Sequence, residues 1–316
     1  MEYIPASAPL AESTRKVFNR NIGRWLKALD HPGSMLTPWL LKQPRKMMRG
    51  LQACPDIKPT NTNHHMFISA VVAYIQHIMK DDTLLDVWKE IMYDNSKPIK
   101  ERYLTGQPTA LQANKADIKW EDILRVRDEL PLGITKILLS MYTMIAPERG
   151  GDYYALALLP AEMEEENPDV FNRFKGNNHI MMTSTSDPWI LCLHDYKTKK
   201  RLGMIKIELP EELSCMIAEY CIKVKEPESG FLFENEKGEP FTRGTFSTWA
   251  VRRLTEAFGR PMTLTTIRHA YISQIDFNRP IAELNAVAES MGHNLSTQRV
   301  YKWEDKKENE VVMPDK

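Results

Sequence analysis

The chain has 316 residues, with 42 basic side chains balanced by 42 acidic ones, 42% apolar and 27% charged residues. That length ordinarily makes two domains with a core in each, and the composition is that of a soluble globular protein. Zero formal charge excludes a bulk polycation, so a surface for nucleic acid has to come from local segregation of charge. No apolar run approaches the ~20 residues of a membrane span, and Met1-Glu2-Tyr3-Ile4-Pro5 lacks the basic and apolar regions of a signal peptide. Cys54, Cys192, Cys215 and Cys221 form no CxxC pair and have no ligand-like histidine spacing. The expectation is an intracellular protein with reduced thiols, no metal and no membrane attachment.

Ser13 is placed to cap a first helix carrying Val17, Phe18, Ile22, Trp25, Leu26 and Leu29 at the 3.6-residue period. Its other faces carry Arg15, Lys16, Arg20, Arg24 and Lys27, and Pro32-Gly33 ends it. Thr37-Pro38 reads as an N-cap followed by proline at the first helical position. Pro44 then opens a turn holding Arg45, Lys46 and Arg49. From Ser13 to Gly50 there are nine basic residues and one acid, Asp30. Such a patch suits a solvated face or contact with phosphates. A third helix spans Asn61 to His77 and a fourth Asp82 to Met92. From Tyr103 to Lys115 the periodicity is lost, which marks a linker. The expected division is a helical domain at 1–105, a linker at 106–116, a second domain at 117–303 and a tail at 304–316.

In the second domain a helix begins at Trp120, and an apolar helix runs from Gly133 to Met144. Glu148-Arg149-Gly150-Gly151-Asp152 follows it, with Arg149 placed to point inward and glycines that let the backbone approach a ligand. Asp152 is near enough to pair with Arg149 and fix its fork, although a plain helix-terminal salt bridge also fits. Trp189 to His194 and Met204 to Leu209 read as strands of a β-hairpin. Its tip carries Lys197, Lys199, Lys200 and Arg201, which also suits a solvated edge. Helices follow at Glu211 to Val224 and Thr245 to Phe258, with a short buried segment at Phe231-Leu232-Phe233 between them.

The most informative stretch is Thr265-Thr266-Ile267-Arg268-His269, then Met291-Gly292-His293-Asn294, then Tyr301. It sets an arginine, a histidine and a tyrosine within about one helical hairpin. Those groups suit reaction at a phosphodiester: a cation and a donor for the non-bridging oxygens, and a phenol to attack. A phenol with a pKa of about 10 needs neighbouring cations to react. A buried helix pair with one structural arginine would show the same residues.

Taken in order, Arg149, Lys197, Arg268, His293 and Tyr301 resemble the pattern of the tyrosine recombinase/integrase family, from roughly Trp120 to Trp303. Arg149-Gly-Gly-Asp152 looks like its first-arginine motif, Lys197 like its hairpin lysine, and Ile267-Arg268-His269 like its second-arginine motif. Met291-Gly292-His293 through Gln298-Arg299-Val300-Tyr301 resembles its Gly-His to Tyr segment. The Arg149 segment and the short gap from His293 to Tyr301 look most like integrases of large eukaryotic DNA viruses and Crypton-like elements. The resemblance implies a mainly α fold with a small antiparallel sheet or hairpin (α+β), in which a helical core-binding domain precedes a catalytic domain. It implies that double-stranded DNA is cut and rejoined by a homo-tetramer, without metal or small-molecule cofactor, through a 3′-phosphotyrosine on Tyr301.

In that scheme Arg149 and Arg268 clamp the non-bridging oxygens, His293 adds a donor, and Lys197 protonates the 5′ leaving oxygen. Asp152 orients Arg149, and His269 supports the site from behind these groups. Arg15, Lys16, Arg20, Arg24, Lys27, Arg45, Lys46 and Arg49 would hold the duplex. One departure stands out: Thr265 occupies a position where most of the family has histidine, and a threonine cannot shuttle a proton near neutral pH. The alternatives are a topoisomerase of type IB, which uses the same residues, and a DNA-binding protein of this fold weakened in catalysis.

Overall fold

The computed structural model describes residues 2–31, 35–55, 57–58, 60–104, 118–149, 151–162, 166, 168–174, 176–183, 187–224, 227 and 229–302. The chain divides into two compact units, Met1–Thr105 and Gly106–Lys316. The expected linker at 106–116, the Pro32-Gly33 helix stop, Gly150 and the tail at 304–316 lie outside the described residues.

In the first unit the apolar stripe of Ile22, Trp25 and Leu26 winds α1 (Glu12–Ala28) against the all-apolar flank of α4 (Asn61–Tyr74). Between them come α2 (Pro38–Leu41) and α3 (Pro44–Ala53); a π-helical turn (Ile75–Met79) and α5 (Asp82–Leu104) follow. Trp25 is the centre of the core: its ring meets Phe67 and Trp88 edge-on at 6.3 and 5.7 Å, and its Nε1 donates to the Met47 carbonyl at 2.8 Å. Trp88 likewise donates to the Leu41 carbonyl at 3.1 Å, so neither buried indole leaves its N–H unpaired. Thr37 caps α2 as its sequence predicts, accepting from the Leu40 amide at 3.2 Å.

Ser13, in contrast, is not a cap. The helix starts two residues earlier, behind Ala11, with no side-chain cap, and the Asn19 side chain instead ties down the chain before it by bonding the Tyr3 and Ile4 backbone. At the far end Asp30 takes the left-handed conformation (φ 57°), with its own amide on the Lys27 carbonyl and that of His31 on Leu26. This is a Schellman stop, so the one acid of the basic segment serves to end the helix. The fourth helix runs to Leu104 and encloses Pro98, well past the expected end at Met92. From Tyr93 to Arg102 it buries no residue, so there is no apolar stripe for a periodic reading to follow. Lys97 pairs with Asp94 at 2.9 Å and, with Lys100, lies over the Tyr93 ring.

In the second unit α6 (Trp120–Glu129) precedes α7 (Ile134–Met141), whose Ile137, Leu138, Leu139 and Met141 have no exposed surface. A four-stranded sheet follows in the order β1 (Ala157–Pro160), β2 (His179–Met182), β3 (Ile190–Leu193), β4 (Ile205–Glu208). The expected β3–β4 hairpin is there, with Leu191 opposite Ile207. The sheet as a whole is mixed, however, because β1 pairs with β2 in parallel, Ala157 opposite His179. Parallel neighbours need a crossover, and α8 (Pro168–Phe174) supplies it. Strands of four residues offer too few alternations to be recognised by period.

After the turn Asp195–Thr198 the hairpin tip closes with a short helix, α9 (Lys199–Leu202). Next come α10 (Glu211–Lys223), α11 (Arg243–Phe258), α12 (Leu264–Ser273), α13 (Ile281–Ser290) and α14 (Leu295–Tyr301). Mutual hydrogen bonds of Thr242 and Thr245 box the start of α11. Thr263 caps α12 and Asn294 caps α14.

Candidate active site

The segment between α7 and β1 holds Arg149 by its backbone. Its carbonyl accepts from the Tyr142 hydroxyl at 3.2 Å and from the Asp152 amide at 2.9 Å. The guanidinium is left to reach inward, with a buried Nη1 that has no partner among the described residues. Arg268 arrives on the second turn of α12, 2% exposed, and its Nη1 donates to the Pro147 carbonyl at 2.7 Å. Its Nε and Nη2 are buried without partners among the described residues.

Gly292 and His293 owe their spacing to the end of α13. The Gly292 amide bonds the Glu289 carbonyl, that of His293 bonds Ala288, and Gly292 sits at φ 68°. This is a second Schellman stop, in which glycine is the residue free to turn left-handed. It presents His293 to the interior, 1% exposed, with both ring nitrogens unpartnered among the described residues.

Tyr301 closes the group from the last turn of α14. The Arg268 guanidinium lies 5.4 Å from its ring centre, and the His293 ring meets it edge-on at 5.7 Å. On the other flank the His269 ring is 4.8 Å away, and its Nδ1 lies 2.6 Å from the Tyr301 carbonyl. Facing a carbonyl, that nitrogen must carry the proton. Burial pushes His293 down to about 3, with the cations of Arg268, Arg149 and Arg201 adding to the effect. Burial likewise lowers His269 to about 4 against the pull of its carbonyl bond. Both imidazoles are therefore neutral at physiological pH, and His293 presents one N–H and one bare nitrogen.

Native interiors rarely leave buried polar atoms unpaired. Here two nitrogens of Arg268 and both of His293 stand unpaired beside one phenol, and one of Arg149 is unpaired near His293, among the described residues. Neighbouring donors with nothing to donate to form a ready-made anion site.

The Lys197 ammonium is exposed in the turn after β3 and unpaired among the described residues. The turn itself is anchored, since the Thr198 hydroxyl donates to the Gly292 carbonyl beside His293. Thr265 is exposed on the first turn of α12, where it offers a hydroxyl and no titratable nitrogen.

Asp152 does not orient Arg149 by an ion pair. Its buried carboxylate bonds Arg243 at 2.9 Å, and the same guanidinium reaches Asp195 at 3.2 Å and covers the Tyr154 ring. The chain turns tightly there, with the Asp152 amide on the Arg149 carbonyl. Gly151 then leaves room for Arg243, whose Cγ would lie 2.7 Å from any Cβ there.

Arg243 and Asn178 are the two residues that sequence reasoning missed. The Asn178 amide donates to the Asp152 and Asp195 carbonyls and accepts from the amides of His194 and Asp195. Together the two residues bind the Arg149 segment to the turn that carries Lys197. The signal for Arg243 was its place at the first position of a capped helix beside a basic-poor loop; for Asn178 there was none. Arg243→Ala strands the 1% exposed Asp152 carboxylate and is expected to cost about 1–3 kcal/mol. Urea denaturation against native protein measures it, and an unchanged midpoint would show that the pair contributes nothing.

In the first unit α1 and α3 cross closely, because Gly50 has no side chain where Leu29 comes within 2.4 Å of a Cβ position. Lys16, Arg20, Arg24, Lys27, Arg45, Lys46 and Arg49 are exposed, and Arg15 is half-buried. Arg15 donates to the Ala6 carbonyl, Lys16 pairs with Glu12 at 2.6 Å, and Arg24 lies over the Phe67 ring. Lys46 lies 5.1 Å over the ring of Trp39, which is 59% exposed.

No family model and no curated protein matches this chain. Among solved structures it is similar to XerA recombinase (12% identity, 94% of this chain and 89% of that one, TM-score 0.42). It is also similar to a lambda integrase(75-356) dimer bound to a COC′ core site (13% identity, 98% and 95%, TM-score 0.44). A third is the XerH site-specific recombinase bound to difH substrate in a pre-cleavage complex (13% identity, 94% and 88%, TM-score 0.39). No helix among the described residues is long and apolar enough to cross a membrane, and no cluster of metal-ligating side chains occurs among them.

Proposed function

We propose that the chain is a tyrosine recombinase, which cuts and rejoins double-stranded DNA through a covalent bond to Tyr301. One observation carries the reading: buried, unpartnered donors of Arg268 and His293 lie against the Tyr301 ring, and Arg149, whose charge reaches His293, holds another. In this scheme a scissile phosphate takes the donors' empty places. The Tyr301 oxygen attacks phosphorus as its phenolic proton passes to solvent, the bond to the 5′ oxygen breaks, and Lys197 gives that oxygen a proton. The arginine forks and the His293 N–H hold the charge that builds on the non-bridging oxygens. Bond energy is kept in the phosphotyrosine for rejoining.

A nicked duplex that loses its short 5′-hydroxyl fragment tests this directly. Expected is a denaturant-stable protein–DNA adduct whose modified peptide contains Tyr301. Native protein that binds the duplex and leaves no adduct would sink the reading.

The exposed cations of α1 and α3 are the proposed phosphate contacts of the first unit. DNA affinity should then fall with salt by about 0.9 log unit per log unit for each contact. Neutralising Arg20, Lys27 and Arg45 together should reduce that slope by roughly two to three. Lys16, committed to Glu12, should change it least. An unchanged slope in the triple variant would return this face to a solvated role.

A further inference from the structure

One buried acid at the site has no part in the scheme above. Glu148 precedes Arg149, has no exposed surface, and both its oxygens lack hydrogen-bond partners among the described residues. Asp152 at least has Arg243; Glu148 has no ion pair among the described residues. Its carboxyl lies beside the anion site, with Oε2 3.4 Å from where a Cβ of Gly292 would stand, next to His293. An ionised carboxylate there would oppose any anion held by Arg149 and Arg268. At about 5 Å and an effective dielectric of about 20, like charges repel by an energy worth at least a hundredfold in affinity.

We propose that Glu148 is a positioning residue which opens the Arg149–Arg268–His293 site to a tetrahedral dianion only while its carboxyl is uncharged. The inference rests on reading that site as an anion pocket, though not on strand transfer.

The groups facing Glu148 come from every surrounding element. They are Arg149 on its own segment, Asp152 and Tyr153 on the following turn, and Tyr142 at the end of α7. Arg268 on α12 and Tyr196 before α9 complete them. Burial raises Glu148 to about 8, and Asp152 adds to this. Arg268, with the backbone N–H and side chain of Arg149, pulls less strongly the other way. Tyr142 and Tyr153 are pushed well above the ordinary phenol range by burial, and His269 and His293 stay neutral throughout. Between pH 6.5 and 9, Glu148 is thus a buried acid of the pocket whose charge changes. A carboxyl kept only to fill space would alter stability with pH but not the protein's affinity for an anion.

The test is sulfate binding, because sulfate keeps its charge across this range and needs no chemistry. Full-length native protein and Glu148→Gln are titrated with sodium sulfate at constant ionic strength, by calorimetry, at pH 6.5 and pH 9. One unit above its midpoint about a tenth of the acid is uncharged, so native affinity should fall about tenfold by pH 9. The glutamine variant should change by less than twofold. Sulfate held by the basic helices of the first unit contributes equally to both proteins and cancels. A native affinity that is flat with pH, or an equal fall in both proteins, overturns the inference. If the glutamine variant does not fold, Glu148→Met must give the same flat profile, and an equal fall there overturns the inference too. The adduct assay is independent, so a recombinase without this device and a device without recombination are told apart.

Discussion

Tyr301→Phe is expected to abolish the covalent adduct while leaving DNA binding and folding intact. The substitution removes one oxygen and keeps the ring, which is what the neighbours touch. His269 packs on the ring at 4.8 Å, His293 meets it edge-on at 5.7 Å, and the Arg268 cation sits 5.4 Å from its centre. The bond from His269 goes to the Tyr301 carbonyl rather than the hydroxyl, so it too survives. With no hydrogen bond of that hydroxyl among the described residues, the cost in stability is about 1 kcal/mol or less. Chemistry should respond in full, since a phenyl ring cannot attack phosphorus. Denaturing gels of the suicide-substrate reaction, read beside a binding titration, decide it. An adduct persisting in the variant would place the nucleophile elsewhere.

How much of this site the sequence revealed depends on how local each relation is. Arg268, His269, His293 and Tyr301 fall within thirty-four positions, on α12, just past the end of α13 and on α14, and short-range periodicity and turn chemistry are enough to bring them together. Gly292 could be read as a helix stop because left-handed backbone has a known residue preference. The partner of Asp152 was misassigned for the opposite reason: Arg243 lies 91 residues away, and only the tertiary fold reveals that Gly151 makes way for it. Asn178 was invisible, since a side-chain amide serving four backbone groups looks like any loop asparagine. The unpaired state of Glu148 was invisible too, because a glutamate beside an arginine ordinarily reads as half of an ion pair. At fold level the helices marked by an apolar stripe, α1, or an apolar run, α4 and α7, were legible. Parallel strand β1 and the exposed second half of α5 had no such stripe, and they were missed.

Arg268→Lys keeps the charge and tests the fork. The native guanidinium uses Nη1 to hold the Pro147 carbonyl at 2.7 Å and keeps Nε and Nη2 free. A planar group with fixed donors can anchor to the protein on one side and offer two parallel bonds to a phosphate on the other. Lysine has a single nitrogen. If it bonds the Pro147 carbonyl it loses the two-point grip on the non-bridging oxygens; if it turns to the phosphate, that buried carbonyl loses its donor. Removing a preorganised donor of this kind typically costs about 10²–10³ in rate, or roughly 3–4 kcal/mol. Single-turnover cleavage should fall by that factor, whereas DNA affinity should change only a few-fold, because the proposed phosphate contacts of the first unit are untouched. The variant must be shown to unfold within a few degrees of native, since lysine is itself a costly residue to bury. Cleavage within fivefold of native, in a protein that still binds, would mean that charge alone suffices. The arginine at 268 would then be no clamp.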